Sequence, residues 1–411
     1  MGQGPSELLI TGLGVTSAIG QGKTAFSSAL MQGKHAFGIM KRPGRQKGTT
    51  FLGAEIDELS TPDHLSKKQL RTASFSSHMA LVTLDEAWQE AKLYDTAADR
   101  VGLIVGGSNI QQRELLQTYE AYRDRSHYLS PTYAFSFMDS DVCALCTEQF
   151  GIHGLACTVG GASASGQLAV IQASQAVLSG QVDICIALGA LTDISYMECQ
   201  AFRALGAMGT DRYVDQPALA SRPFDKKRDG FIYGENCGAV VIERRETAMK
   251  RGAESYASIP GWAWEMDGNR NPNPSYEGEV HVIRGALEQA GLSPDDIDYV
   301  NPHGTGSLLG DETELHALAD CGLTYAYINA TKSITGHGLS AAGMVEMIAT
   351  LLQMRESRLH PTRNLYEPMD ESFHWVGNEA ISTSIRHALN LSIGFGGINT
   401  AVCLKKDAYH L

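Results

Sequence analysis

The chain lacks the features of several large functional classes, beginning with positive charge. Its 411 residues include 33 lysine and arginine residues against 46 aspartate and glutamate residues, for a formal net charge of −13 at pH 7. Polyanions repel a protein this acidic, which argues against nucleic acid or an anionic membrane as its main partner. No apolar run reaches the roughly 18 residues that a membrane-spanning helix needs, so no membrane span is expected.

Export and metal binding also find little support in the sequence. Residues 1–5 lack the basic region and the apolar core of a secretory leader. The eight cysteines are scattered, and the one close pair, Cys143 and Cys146, has no second pair to complete a zinc site. We therefore expect a soluble cytoplasmic protein that binds no metal, with Cys143 and Cys146 packed into the core.

Two familiar glycine fingerprints are incomplete. The stretch Gly12-Leu13-Gly14-Val15-Thr16-Ser17 lacks the third glycine of the dinucleotide-binding pattern G-x-G-x-x-G. In the hydrolase pattern G-x-S-x-G, centred on Ser163, Ser165 takes the place of the second glycine. Neither a Rossmann domain nor an ordinary hydrolase elbow is favoured.

What the sequence does contain is a regular alternation of strand and helix patterns. Strands are predicted near 8–12, 101–106, 155–159, 183–189, 237–243, 297–301, 326–329, 391–394 and 400–404. Helices are predicted near 22–32, 66–93, 111–124, 139–149, 163–179, 245–252, 276–291, 311–320 and 338–355. A chain of this length exceeds one ordinary core, so we expect an α/β fold with buried mixed sheets in two halves, residues 1–252 and 253–411.

A run of small residues from Gly160 to Gly166 separates the strand at 155–159 from the helix that ends near Ser179. Ser163 is thereby predicted at a helix N-terminus, where backbone N–H groups and the helix dipole favour a nucleophile or an oxyanion. The alternative is an ordinary N-cap serine, and the stretch taken alone favours this alternative.

Three loops of the second half carry polar side chains. His303 follows a predicted strand, between proline and glycine, a context more typical of a cleft than of a core. Lys332 and His337 precede a helix that carries Glu346, and either an ordered polar network or a solvated loop fits this spacing. The third loop, Gly394-Phe395-Gly396-Gly397, is a glycine hairpin able to present a backbone N–H.

Taken together, these stretches resemble the ketosynthases of fatty-acid and polyketide synthesis, which belong to the thiolase superfamily. The likeness spans essentially the whole chain. It rests on Ile10-Thr11-Gly12-Leu13-Gly14-Val15, Pro223-Phe224-Asp225, Arg228-Asp229-Gly230-Phe231, Gly234-Glu235, Pro302-His303-Gly304-Thr305-Gly306, Gly310-Asp311, Lys332-Ser333, Gly336-His337 and Gly394-Phe395-Gly396-Gly397.

The resemblance implies a thiolase fold, with two similar α/β halves stacked as a five-layer αβαβα sandwich, and a homodimer. It also implies a central helix between the halves that carries the nucleophile position, Ser163, with His303 and His337 facing it. Lys332 is expected to order the site, paired to Glu346, and the Phe395 and Gly396 hairpin is expected to support an oxyanion site.

One departure from the family pattern bears on function. The family carries its acyl-accepting cysteine in a Thr-Ala-Cys-Ala-Ser-Gly type of sequence, whereas Ser163 stands at that position here. An alcohol is far harder to ionise than a thiol, so chain loading and condensation are expected to be crippled. The histidines that hold the enolate of a decarboxylating malonyl thioester are retained as His303 and His337.

This combination resembles the free-standing decarboxylative ketosynthases of the polyketide β-branching cassette. The implied activity is conversion of malonyl-acyl carrier protein to acetyl-acyl carrier protein, which then serves a hydroxymethylglutaryl-CoA-synthase-like enzyme. No metal or separate organic cofactor is implied, because the phosphopantetheine arm arrives on the carrier protein. Two alternatives stay open: a non-catalytic chain-length-factor-like subunit, and a condensing enzyme with an engineered cysteine-to-serine change.

An acidic carrier protein would need a local basic surface on this acidic chain. Three clusters are candidates: Lys41, Arg42, Arg45 and Lys47; Lys67, Lys68 and Arg71; and Lys226, Lys227 and Arg228. We favour the second, because helical spacing lets its side chains share a face.

Overall fold

The structure is a computed structural model that describes residues 7–407. The stretch 1–5, on which the expectation about a leader rests, lies outside these residues. Within them, no helix is both long enough and apolar enough to cross a membrane.

The strands and helices alternate as the sequence predicts. The strands are β1 (Leu8–Ser17), β2 (Gly20–Gln21), β3 (Phe37–Ile39), β4 (Leu52–Ala54), β5 (Val101–Gly106), β6 (Ala156–Val159), β7 (Ile184–Gly189), β8 (Tyr233–Gly234), β9 (Asn236–Arg244), β10 (Ala257–Met266), β11 (Tyr299–Asn301), β12 (Tyr327–Ile328), β13 (Arg358–Leu359), β14 (His374–Trp375), β15 (Ile381–Ser382), β16 (His387–Gly394) and β17 (Ile398–Lys406). The helices are α1 (Lys23–Met31), α2 (Lys67–Leu70), α3 (Phe75–Glu90), α4 (Gln112–Tyr122), α5 (Tyr133–Ser136), α6 (Ser140–Phe150), α7 (Ser165–Leu178), α8 (Tyr196–Ala204), α9 (Arg245–Arg251), α10 (Tyr276–Ala290), α11 (Leu308–Asp320), α12 (Lys332–Thr335) and α13 (Ala342–Glu356).

The strand order shows that the two halves repeat one topology. In the first half the order is β6-β5-β7-β9-β1, and in the second half it is β12-β11-β16-β17-β10. When only these five strands of each half are numbered along the chain, both orders read three, two, four, five, one, and β14 adds an edge strand beside β12. Strands β1 and β10 pair with each other through Leu9 with Ser258 and Ile10 with Ala257, which joins the two sheets.

Alternation of side chains along the strands produces five layers. In β7, Cys185 and Ala187 face a core shared with α7 and α13, whereas Ile186 and its alternate neighbours face α3 and α6. In β17, Val402 faces the shared core and Cys403 faces α10 and α11. Helices α7 and α13 therefore form the middle layer between the two sheets, which confirms the predicted αβαβα sandwich. The division of the chain at residue 252 stays a prediction.

The middle helices pack at very short range. A Cβ atom added to Gly166 of α7 would lie 2.9 Å from the backbone nitrogen of Met344 in α13. Contacts below 3.0 Å require the neighbouring backbone to shift, so the absence of a side chain lets α13 approach the first turn of α7. That approach fixes where the start of α7 lies relative to the second half.

The predicted helix over 66–93 is wrong, because the chain breaks between α2 and α3. Ser74 supplies a new N-cap, its side chain accepting a hydrogen bond of 3.0 Å from the nitrogen of Ser77, and the nitrogen of Phe75 donates to Glu114. These local polar partners stabilise a second helix start in preference to continuation of α2.

Strand β1 is longer than predicted, and β10 is absent from the prediction. Gly12 and Gly14 form no turn, because β1 continues through them. A Cβ atom on Gly14 would lie 1.9 Å from the carbonyl oxygen of Thr83, so the glycine permits close packing of α3 on the strand. In β10, Pro260 and Gly261 have the composition of a turn, but a register shift between Ser258 and Gly261 accommodates them within the strand.

The structure also tests the expectations for the close cysteine pair and for one of the basic clusters. Cys143 and Cys146 are buried in the hydrophobic cluster beneath α3 and α6, which confirms core packing. The prediction that Arg45 belongs to a basic surface is wrong, because its side chain is fully buried and pairs with Asp193 and Glu235.

Candidate active site

Ser163 lies in a strained turn between β6 and α7. Residues 162–164 form a short 3₁₀ turn, and Ala162 has a φ of 46°, in the left-handed region that disfavours residues with a Cβ atom. The Ser165 hydroxyl stabilises this turn by accepting a hydrogen bond from the nitrogen of Gly161 and donating to the carbonyl of Ala162. The alternative of an N-cap role for Ser163 is wrong, because its Oγ lies 3.0 Å from Nε2 of His337 and forms no capping bond.

His337 is held by the backbone of the first half. Its nitrogen donates to the carbonyl of Ile232 at 2.7 Å, and its carbonyl accepts from the nitrogen of Gly234 at 3.1 Å. The Phe231 ring lies edge-on to the imidazole at a centroid distance of 5.1 Å. Burial, and then the charge of Lys332, lower the pKa of His337 well below its usual value, so the imidazole is neutral at physiological pH.

His303 follows β11 and lies beside His337. The two ring centroids are 5.5 Å apart with the planes at 83°. Glu314 holds the backbone here, because its carboxylate accepts hydrogen bonds from the nitrogens of His303 and Gly304. Burial, followed by the charges of Lys332 and His337, lowers the pKa of His303 well below its usual value, so this imidazole is also neutral.

Lys332 and Glu346 form a buried ion pair behind His303, each side chain being no more than 3% exposed. The ammonium group also donates to the carbonyl oxygen of His303 and lies 3.4 Å from its Nδ1. An ammonium group has no lone pair to accept a hydrogen bond, so Nδ1 is assigned as the acceptor and the imidazole proton to Nε2. Burial raises the pKa of Glu346 to about 7, against the opposing effect of Lys332.

Two cavities meet at this site. The first has a volume of about 270 Å³ and is lined by Ser163, His303, His337 and Phe395, with Phe202 and Phe231 among its apolar walls. The second, of about 290 Å³, runs past the exposed Leu308 and Leu309 and shares His303 and Phe395 with the first. A long flexible group can therefore enter beside Leu308 and reach the histidines.

The structure brings together most of the residues that the sequence singles out. Ser163, His303, His337 and Phe395 share one cavity, and Lys332 and Glu346 lie directly behind it. Gly396 lies in the β16–β17 turn with a φ of 91° and is not part of either cavity wall. The expected oxyanion role of the Phe395 and Gly396 hairpin stays a prediction.

Three carboxylates near the site have no role assigned from the sequence. In the sequence, Asp311 and Glu314 form an acidic pair spaced by three residues at the start of α11. In the structure, both accept backbone hydrogen bonds from the loop around His303. Glu279 is visible only as a charged residue on the apolar stripe of α10 formed with Val282, Ile283 and Ala286. Among residues 7–407, no group of three or more potential ligands is arranged to hold a metal ion.

Comparison with known families agrees with this geometry. The family model described as "Beta-ketoacyl synthase, N-terminal domain" matches residues 6–248, and the corresponding C-terminal domain model matches residues 256–366. The chain belongs to the β-ketoacyl synthase family. The resemblance drawn from the motifs is thereby confirmed.

Individual relatives within this family cover nearly the whole chain. It is 67% identical over 399 residues to "Polyketide biosynthesis malonyl-ACP decarboxylase PksF" of Bacillus subtilis (strain 168), covering 97% of this chain and 96% of that protein. It is 32% identical over 410 residues to 3-oxoacyl-[acyl-carrier-protein] synthase 2 of Staphylococcus aureus (strain N315), covering 97% and 98%. A solved β-ketoacyl synthase from Burkholderia phymatum STM815 superposes with a TM-score of 0.89 at 27% identity, covering 98% and 100%. The thiolase fold expected for the family is confirmed by this likeness and by the five layers.

The ion pair behind His303 generates a stability prediction. Glu346→Gln removes the partner of a buried ammonium group, and breaking a buried pair in this way costs about 3–5 kcal/mol. We expect the midpoint of urea unfolding to fall accordingly, while the exposed-residue control Glu288→Gln leaves it unchanged. An unaltered midpoint for Glu346→Gln would show that Lys332 does not depend on this partner.

Proposed function

We propose that the protein decarboxylates malonyl-acyl carrier protein to acetyl-acyl carrier protein without extending a chain. The observation that carries this proposal is a pair of neutral imidazoles, His337 buried and His303 half-buried, at a cavity where Ser163 replaces the family's cysteine. The malonyl-ACP decarboxylase named for the 67% identical relative supports it further.

The reaction needs stabilisation of negative charge on one oxygen. With the thioester carbonyl oxygen against Nε2 of His303 and of His337, the bond between C2 and the carboxylate breaks. Its electron pair moves into the thioester, giving an enolate while carbon dioxide leaves. Neutral N–H donors fixed before the reaction stabilise this charge without reorganisation, and this is the largest contribution expected from the protein. Protonation of C2 completes the acetyl thioester.

Ser163 acts in this scheme without forming an acyl enzyme. Its hydroxyl lies beside Nε2 of His337, but that nitrogen carries the proton in this scheme, and Nδ1 is buried without a hydrogen-bond partner, so no carboxylate orients the imidazole as a base. Nucleophilic serines depend on such a third group to hold the base in the required tautomer. The arrangement favours a hydrogen-bonded hydroxyl beside the substrate.

The proposal also covers the cofactor requirement, the pathway and the cellular compartment. The phosphopantetheine arm comes with the carrier protein, so the proposal requires no metal and no separate organic cofactor. We propose that the acetyl product serves polyketide β-branching through a hydroxymethylglutaryl-CoA-synthase-like enzyme, and that the protein works in the cytoplasm. The eight unpaired cysteines support a reducing compartment.

Variants of the three cavity residues test the activity. His303→Ala and His337→Ala should each lower turnover of malonyl-acyl carrier protein by about 10²–10³-fold, the effect of losing one oxyanion-hole donor. Ser163→Ala should retain most of the decarboxylation, because the hydroxyl is not a nucleophile. Mass spectrometry of the carrier protein measures loss of carbon dioxide and excludes chain extension.

Assays of the wild type, Ser163→Ala and Ser163→Cys distinguish the proposed activity from its alternatives. A folded wild-type protein that releases no carbon dioxide would favour the chain-length-factor-like subunit. An inactive but folded Ser163→Ala variant, together with an acyl-serine adduct on the wild type, would require a covalent mechanism. Efficient chain extension by Ser163→Cys would favour a condensing enzyme that had lost its cysteine.

We propose that the chain forms a homodimer through the β6 edge of the first sheet. Within residues 7–407, β6 has a strand neighbour only on one side, and Ala156 and Cys157 on it are exposed. The segment between α4 and α6 also carries large exposed side chains, with Tyr128 and Phe135 exposed by 70% and 64%. Open strand edges and apolar patches of this kind are usually covered by a partner.

Sedimentation equilibrium tests the dimer. The wild-type chain should sediment at twice its 44.3 kDa mass. Phe135→Glu should shift the equilibrium toward monomer, while Tyr325→Glu, which changes an exposed aromatic residue of the second half, should not. A monomeric wild type at micromolar concentration would contradict the proposal.

Carrier-protein docking at Lys67, Lys68 and Arg71 stays a prediction. All three side chains are exposed, and none lines either cavity. Arg228 of the rival cluster is engaged within the fold, donating to the carbonyl oxygens of Ser307 and Leu308.

Charge reversal tests this surface. Lys68→Glu with Arg71→Glu should raise the KM for malonyl-acyl carrier protein and spare malonyl-pantetheine, with an effect that shrinks at high salt. The exposed-residue control Lys250→Glu should leave both substrates unaffected. An equal rise in KM for both substrates would contradict docking of the carrier protein at this surface.

A further inference from the structure

Glu279 is a buried carboxyl group with an unpaired oxygen on the wall of the cavity that leads to His303. Glu279, in the first turn of α10, is 1% exposed, yet it lines the cavity that runs past Leu308 to His303. Its Oε2 is buried without a hydrogen-bond partner. An unpaired carboxylate in such a place is costly, so the group is stable there as a protonated acid.

Comparison with the neighbouring Glu314 shows which of the two carboxyl groups holds its proton more firmly. Burial raises the pKa of Glu314 to about 8, because the hydrogen bonds that it accepts from the backbone nitrogens of His303 and Gly304 only partly oppose the effect of burial. Glu279 receives no such donors, and the proximity of Glu314 adds to burial in raising its pKa well above the usual range.

The other titratable groups on the described wall of this cavity are Asp267, His303 and Asp311. None of the described residues lining it is a lysine or arginine, so nothing there compensates an ionised Glu279. The arrangement therefore keeps the proton on Glu279.

We propose that Glu279 is the acid that protonates C2 of the enolate, an inference that rests on the proposed decarboxylation. When the carboxylate leaves as carbon dioxide, its bonding electrons become the enolate. The O–H bond of Glu279 then breaks, directly or across one water molecule, and a C2–H bond forms. Glu279 is left as a carboxylate and regains a proton from solvent through the same cavity, so each turnover consumes one proton.

The other polar groups of the site are poorly suited to this step. The imidazoles of His303 and His337 are neutral, and a neutral N–H that stabilises an enolate is too weak an acid to give up its proton. The hydroxyl of Ser163 is similarly weak. Both carboxyl oxygens of Glu314 and of Asp311 accept backbone hydrogen bonds, which favours their ionised forms relative to Glu279. A protonated carboxyl group is the strongest acid that the described walls of the two cavities offer.

Glu279→Gln tests the step, because glutamine keeps the size and hydrogen-bonding capacity of glutamate but cannot transfer the proton. We expect formation of acetyl-acyl carrier protein to fall by about 10²-fold or more, the typical contribution of a general acid. Because the enolate then lives longer, exchange of ¹³C-labelled carbon dioxide into malonyl-acyl carrier protein should rise relative to product formation. The matched control is Glu277→Gln, on the exposed face of the same helix, which should behave as wild type.

The outcomes separate this inference from the proposed function. If wild type produces no acetyl-acyl carrier protein, the proposed function itself fails. If wild type is active and Glu279→Gln matches it, or loses product formation and exchange equally, Glu279 is not the proton donor. Should the variant not fold, infrared spectroscopy of the wild type decides. A protonated-carboxyl band that weakens during turnover supports the assignment, and absence of any such band at neutral pH overturns it.

Discussion

The geometry of the catalytic region depends on one buried ammonium group. Lys332 pairs with Glu346, donates to the backbone of His303 and faces Nδ1 of the same residue. These contacts orient the imidazole and keep its proton on the nitrogen turned toward the cavity. The positive charge also opposes protonation of both histidines, so Lys332 sets the position and tautomer of His303 and favours the neutral form of His303 and His337.

The two halves contribute different parts of the site, and the middle layer holds them together. Ser163 precedes α7 of the first half, whereas Lys332, His337 and Glu346 come from segments leading into or forming α13 of the second half. The close approach at Gly166 brings these helices together, and the hydroxyl of Ser392 on β16 donates to the carbonyl of Ser163. Duplicated topology thus supplies a scaffold, while the interface between the copies forms the reaction site.

Replacement of a thiol by an alcohol changes what this scaffold can do. The histidines that stabilise the enolate in the proposed reaction lie side by side, but the serine at the head of α7 lacks the acidity of a nucleophilic cysteine. An enolate formed without an acyl partner has to be quenched by a proton. The proposed proton donor Glu279, a buried acid on the cavity wall, would meet that need by coupling carbon dioxide release to protonation of C2.

The sequence by itself determined the strand and helix alternation, the family, and the identities of Ser163, His303, Lys332 and His337, because these follow from local periodicity and from short motifs. The tertiary structure decided what depends on distant neighbours. Local capping by Ser74 broke the long predicted helix, and Arg45, which reads as a surface charge, is buried against Asp193. Glu279 looks like one more charge on a helix until folding places it beside Glu314 and away from any cation. Burial and charge pairing arise only when remote segments meet, and they decide whether such a carboxyl group is ionised.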